Sequence, residues 1–410
     1  MFRSSRILIS FSMLTFTSLS YGFEHTKVLP KGVRQLNIKS INTSIGEKSS
    51  GDGVLQPLAT ALEKDLTFQK IVDKEDGIKK MLAQALLHQN FAEGDNLDLE
   101  KSIGHFTADM KGNIAVTASF LSYGVTENLT LALVVPYYQA KMNVDLGFAM
   151  NETGHKFVGI LASPAVNKVE SAIKASNPTV GFREKLRDNG MADLQAWKGS
   201  GLGDIVLASK LRFLEAGPLS MAATNGLVFP TGAAKDPNNL IDIPFGKNSY
   251  AFFTAMLADE SITDGLFFNQ YAKYTTRWPS RQDVRLKTAK DPITDDVRNV
   301  NFRLGDEWEV GGSLQFEPSF GLLSGIGVTH MRKFRDHYRT SVRASDEAWE
   351  DGTDERASYA EALIGYSSLP SFKRKEFPVP FSVALEAKQH LASTNSVRKD
   401  MYTLDVKLYF

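Results

Sequence analysis

Short segments in which apolar and polar side chains alternate recur along most of this 410-residue chain, and they restrict its fold more than any other feature. Successive side chains on a strand point to opposite faces, so each such segment has one apolar and one polar face. The last residues show this most cleanly. Tyr402, Leu404, Val406, Leu408 and Phe410 share one face, and Thr403, Asp405, Lys407 and Tyr409 the other. Ile205, Leu207, Leu211 and Phe213 oppose Asp204, Lys210 and Arg212 in the same way. Trp308, Val310, Leu314 and Phe316 oppose Glu307, Glu309, Ser313 and Gln315. Phe381, Val383 and Leu385 oppose Ser382, Glu386 and Lys388.

A β-sandwich also alternates, but its polar faces look out to bulk water. The connections favour a membrane barrel. Strands are expected near 33–43, 113–123, 129–143, 204–214, 219–229, 250–258, 266–277, 307–316, 322–333, 358–367, 381–390 and 402–410. Tight turns at 125–128, 215–218, 263–265 and 317–319 alternate with long connections. Bacterial barrels have short periplasmic turns and long extracellular loops, and with about 12 strands every tight turn here falls on one side. The connection 369–380 is long for that side. No run approaches the ~18 apolar residues of a membrane helix, which a barrel does not need. The expected fold is all-β, a transmembrane antiparallel β-barrel of about 12 strands with helical insertions in two long extracellular loops.

Those insertions lie at about 44–110 and 148–200, where the spacing becomes helical. In the first, Leu58, Leu62 and Leu66 and then Ile78, Met81, Leu82, Ala85 and Leu86 predict helices separated near Gly77. In the second, Ser163 and Pro164 make a helix start ahead of Val166, Val169 and Ile173. Such helices either pack on the barrel rim or form an apolar catchment for lipophilic ligands.

Arg3 and Arg6, an apolar stretch over 7–19 and the small residues Ser20 and Gly22 read as a signal peptide, 1–22. That stretch is too short to span a bilayer comfortably. The remainder, 23–410, is expected to be a single outer-membrane barrel domain of a Gram-negative cell. The absence of Cys suits an oxidising periplasm, and 47 basic against 47 acidic residues leave no global field for nucleic acid.

Catalytic and metal signals are sparse. His330 and His337 lack a ligand pattern, and Gly201-Leu202-Gly203 precedes a strand rather than a helix. Asp351-Gly352-Thr353-Asp354-Glu355 lacks the spacing of a calcium loop. A twelve-stranded outer-membrane phospholipase family needs a His and Ser together on the outer wall. Here Ser393 follows His390 in the wrong order, so no enzyme, cofactor or metal is expected.

Tyr123-Gly124-Val125-Thr126-Glu127-Asn128-Leu129-Thr130-Leu131 with Val135-Pro136-Tyr137 form a recognisable hairpin. Gly201-Leu202-Gly203-Asp204-Ile205-Val206-Leu207, Lys210-Leu211-Arg212-Phe213 and Phe229-Pro230-Thr231-Gly232 follow. This region, 120–235, resembles the outer-membrane barrel family described as transporters of the meta-pathway of phenol degradation. The resemblance implies uptake of small hydrophobic or aromatic compounds. Fatty-acid transporters of the outer membrane carry an N-terminal plug. Only 23–32 precede the first strand here, so any obstruction is expected from the two insertions instead.

The expected function is a channel for passive uptake of small hydrophobic or amphipathic solutes, with a closed structural barrel as the alternative and a hydrolase third. Candidate lumen-lining residues are Lys39, Asp204, Lys210, Arg212, Lys273, Glu309, Glu361, Glu386, Lys388, Asp405 and Lys407. Their mixed signs predict little ion selectivity. Expected partners are outer-membrane lipid, a small hydrophobic ligand and the barrel assembly machinery. The last would read the terminal strand through Tyr402, Leu404, Val406, Leu408 and Phe410.

Overall fold

The computed structural model describes every residue except 1–22, 61–62, 73–77, 94–95, 161–177, 195 and 289–292. The expected signal peptide, Gly77 and the helix start at Ser163 and Pro164 with its Val166, Val169 and Ile173 stripe therefore lie outside the described residues. Pro57–Met110 and Asn143–Gln195 form one compact unit, and the rest of the described chain forms a second.

Twelve antiparallel strands close into a ring: β1 (Arg34–Ile45), β2 (Ser102–Gly124), β3 (Leu129–Met150), β4 (Ile205–Ala216), β5 (Leu219–Phe229), β6 (Ala251–Thr263), β7 (Leu266–Arg277), β8 (Glu307–Phe316), β9 (Leu322–Lys333), β10 (Glu355–Ser367), β11 (Phe381–Thr394) and β12 (Asp400–Tyr409). Each pairs with the next in sequence, and β12 closes the ring on β1 from Gln35↔Tyr409 to Ser44↔Asp400. A closed ring has no unpaired edge, so every strand backbone finds its ladder partners within the sheet. Two further strands of the same sheet lie outside the ring, Lys64–Thr67 beside β2 and Trp197–Leu202 beside β3.

Hydrophobic order is inverted in the barrel unit. Ile326, Val328, Ile364, Leu385 and Leu391 are between 59% and 66% exposed, whereas Asn269, Ser313 and Asp405 are at most 2% exposed. In β8, Trp308, Val310, Leu314 and Phe316 face out and Glu307, Glu309, Ser313 and Gln315 face in, as the alternation predicts. Exposed apolar patches above a few hundred Å² are rare on soluble monomers. A belt of this kind around a closed sheet requires an apolar solvent, and lipid supplies it.

Aromatic side chains border the belt. Tyr137, Tyr250, Trp278 and Trp308 are exposed toward the long-loop end, with Tyr250 and Trp278 rings 5.7 Å apart and Tyr274 and Trp308 rings 4.8 Å apart. Tyr138, within β3, and Tyr409, at the end of β12, instead face inward. The 369–380 connection contains a helical turn, Leu369–Lys373, which accounts for its length at the turn end.

The first unit has its own core of Leu66, Phe68, Val72, Leu87, Ile103, Phe106 and Phe157. The helical spacing of Leu58, Leu62 and Leu66 misled at Leu66. It lies on the strand Lys64–Thr67, because the edge of Ser102–Phe106 offers ladder partners there. Helices follow at Phe68–Val72 and Ile78–Phe91, and in the second insertion at Glu152–Ile160 and Pro178–Asp188. β2 and β3 run 23 and 22 residues, well past the expected ends near 113 and 143. In that extension, within the span expected as an insertion, Ile103 and Phe106 pack into the unit's own core.

Candidate functional site

The barrel interior has two chemically different sides. One is filled. Across β7 to β11, Tyr271 donates to Glu309 (2.7 Å) and meets Thr329, Thr329 donates to Glu361 (2.7 Å), and Lys388 pairs with Glu361 at 2.7 Å. Nearby, Lys39 pairs with Asp405 at 3.1 Å and Glu386 at 3.6 Å, and Lys407 lies 3.5 Å from Asp405. Charges inside a sheet surrounded by lipid are costly unless paired, and here each of these carboxylates has a cation or hydroxyl on another strand.

The other side holds a cavity of about 810 Å³. Inward residues of β1 to β7 and β12 line it, with Pro244–Lys247 toward the loop end and Leu369, Phe372 and Pro380 toward the turn end. Six expected lumen residues border it: Lys39, Asp204, Lys210, Arg212, Lys273 and Lys407. The other five, Glu309, Glu361, Glu386, Lys388 and Asp405, belong to the buried networks. Arg212 lies at the turn end, 3.2 Å from Glu215.

Residues 23–30 run inside the barrel. The backbone N–H and hydroxyl of Thr26 donate to Asp259 at 2.8 and 2.7 Å, and the N–H of Leu29 donates to Thr130. Lys27 pairs with Glu317 and lies over the Phe267 ring, Lys210 donates to the His25 carbonyl, and Phe23 packs on Gly325. The expectation that so short a segment would not obstruct the lumen is therefore corrected. Polar partners on several strands hold it in place of a folded plug domain.

The loop end of the cavity is built by 230–250. Asp204, just ahead of β4, accepts the N–H of Gly232 (3.0 Å) and of Lys247 (2.9 Å). Gly246 passes so close that a Cβ would sit 2.4 Å from the Asp204 carboxylate. Lys235 pairs with Asp242 and donates to the Leu240 and Asp242 carbonyls, closing the loop on itself. Phe245 then stacks on Tyr138 with centroids 5.5 Å apart and planes 16° apart. Burial holds the Asp204 carboxyl above its ordinary range, and its two N–H donors oppose this. Burial, and after it the Arg277 charge, push the Lys247 ammonium down to about 7.

On the wall below, Ala255↔Lys273, Phe253↔Thr275 and Ala251↔Arg277 are register pairs of β6 and β7. The Lys273 ammonium lies 4.7 Å over the Phe253 ring. That ring covers Gly226 of β5, where a Cβ would meet it at 2.3 Å. Phe245, Lys247 and Arg277 escaped the sequence reading. Two sit in a loop without periodicity, and in the sequence Arg277 marks only the end of a strand.

No metal-binding cluster occurs among the described residues. His390 Nε2 lies 2.7 Å from Ser393 Oγ, but Ser393 is buried and also donates to Ser49. The arrangement ties Glu47–Ser49 to β11 and leaves no open approach to the hydroxyl.

No family model matches the chain, and no curated protein matches it. Among solved structures, its fold is similar to the COG4313 outer membrane channel from Pseudomonas putida F1, with a TM-score of 0.53 and 10% identity over 96% of this chain and 100% of that one. A FadL homologue from Pseudomonas aeruginosa aligns at a TM-score of 0.35 and 9% identity over 94% of this chain and 93% of that one. The translocator domain of autotransporter NalP from Neisseria meningitidis aligns at 0.36 and 9% over 94% and 91%. Only the first is similar enough to carry an argument, and it shows the fold of a barrel.

Proposed function

We propose that the protein is an outer-membrane channel for passive uptake of small hydrophobic or amphipathic solutes. The observation that carries this reading is the cavity of about 810 Å³, bordered toward both barrel ends, inside a barrel whose outside is apolar. The aromatic rings of Tyr138, Phe245 and Phe253 border it and give an apolar body a surface to slide on. The similar fold of the outer membrane channel from Pseudomonas putida F1 supports the class. Export through the N-terminal 22 residues, and recognition of β12 by the barrel assembly machinery, belong to the same reading.

Refolded protein in liposomes tests it. Small neutral aromatics such as benzyl alcohol, and small polar solutes, should cross faster than in empty vesicles. A second reading, a closed structural barrel, is favoured by the course of residues 23–30 through the lumen. Vesicles that contain folded protein but admit no probe would establish that reading instead.

A further inference from the structure

We propose that the cavity contains an oxyanion site at Lys247 and Arg277, and that the preferred solutes are amphipathic monoanions: a carboxylate on a small aromatic body. This rests on the channel reading and names its substrate class.

The charges bordering the cavity are unequal, with nine Lys and Arg against two acidic side chains. Several of these cations are paired with carboxylates outside the lining, Lys39 with Asp405 and Glu386, Lys407 with Asp405, Lys27 with Glu317 and Arg212 with Glu215. Three of the cations are also incompletely satisfied, Arg212 through its Nε at the turn end and two more toward the loop end. Among the described residues, Lys247 Nζ and Arg277 Nη1 are buried without a hydrogen-bond partner. Arg277 reaches Glu307 only through Nε, at 3.4 Å. Asp204 accepts the backbone N–H of Lys247 rather than its ammonium, and the carboxylates that act on that ammonium, Glu307 and Glu355, make no hydrogen bond to it.

A buried cation without a partner is costly, and a carboxylate arriving between the two removes that cost. Arg277 offers the geometry of a planar fork, and Lys247 a second charge. Aromatic surface adjoins both: Phe245 precedes Lys247 by two residues, and Phe253 pairs with Thr275 beside Arg277. Lys273 over Phe253 adds a third cation on the path. A bare inorganic anion would use the charges and leave the rings unused. A neutral aromatic would use the rings and leave the cations unsatisfied.

The test uses full-length protein refolded into planar bilayers and liposomes, with benzoate, benzyl alcohol, benzylamine and inorganic phosphate as probes. Reversal potentials in a salt gradient should show anion preference, and benzoate should permeate faster than benzylamine. Benzoate should also reduce ionic current, and Lys247→Met or Arg277→Gln should weaken that block roughly tenfold, the size of one charged hydrogen bond. Lys247→Arg should retain it. If Lys247→Met fails to fold, Arg277→Lys and the wild-type reversal potential read the same site. Cation preference, or equal block in wild type and both variants while benzyl alcohol still permeates, would overturn the oxyanion site and leave the channel standing. Block by phosphate as strong as by benzoate would overturn the aromatic half of the proposal. Absence of current and of permeation by every probe would overturn the channel reading itself.

Discussion

Lys247 shows how one buried side chain couples loop structure to pH. Its ordinary value is 10.5, and in the folded protein it falls to about 7. The charged groups acting on it are Arg277 and Lys333, which lower it, and Glu307 and Glu355, which raise it, with burial the largest influence. Between about 7 and 10.5 the unfolded chain therefore holds a proton that the folded chain has released, and stability rises with pH across that window. Urea unfolding at pH 6, 8 and 10 should show this rise in wild type and a smaller one in Lys247→Met; equal slopes would refute it. Lys39 poses the opposite case, a cation already paired. Lys39→Met strands Asp405 with only Lys407, and a broken buried pair costs about 3 kcal/mol. Urea unfolding should register that loss, and adding Asp405→Leu should recover part of it.

At the scale of elements, the sequence was most legible where the two sides of a strand differ chemically. In β8 and in β12 the alternation assigns the two faces correctly, because Glu309 and Asp405 could face only a polar interior, and Val310 and Val406 only lipid. The alternation says which residues face inward but not which of them meet. Glu309 and Glu361 are linked through Tyr271 and Thr329, contacts set by neighbouring strands rather than by local pattern. Legibility failed where order comes from distant partners. Residues 23–30 have no period, and their conformation depends on Asp259, Glu317 and Thr130, far away in the chain. Leu66 failed for a similar reason, since a sheet edge outweighed a helical spacing. The lumenal segment carries its own prediction. Deleting residues 24–28 removes Thr26 from Asp259 and Lys27 from Glu317 while leaving the β1–β12 seam whole. Single-channel conductance should rise roughly twofold or more as the interior widens. An unchanged conductance in a folded variant would show that the segment does not limit the path.

For the whole molecule, the decisive property is the inversion of its two surfaces. A soluble barrel with an exposed belt of Ile326, Val328, Ile364 and Leu385 would gain solubility from charges placed there. A barrel in lipid must lose stability, and the loss must depend on depth, because an arginine at mid-bilayer costs about 2–4 kcal/mol and one at the interface about 0–1. Val328 lies within β9 opposite Gly312 and Ala360, well away from either end of the strand. Trp278 follows the last residue of β7 and stands among the aromatic rings of the loop end. Val328→Arg should therefore destabilise the refolded protein in phospholipid vesicles by the larger amount, and Trp278→Arg by the smaller. Equal costs at the two positions, or a stabilised Val328→Arg, would mean that the belt does not face hydrocarbon. The inward neighbour supplies the control. Thr329 is buried beside Tyr271 and Glu361, so Thr329→Val should act through those hydrogen bonds and cost the same in lipid and in detergent micelles. Only the outward series should track bilayer depth, since only those side chains have lipid as their solvent.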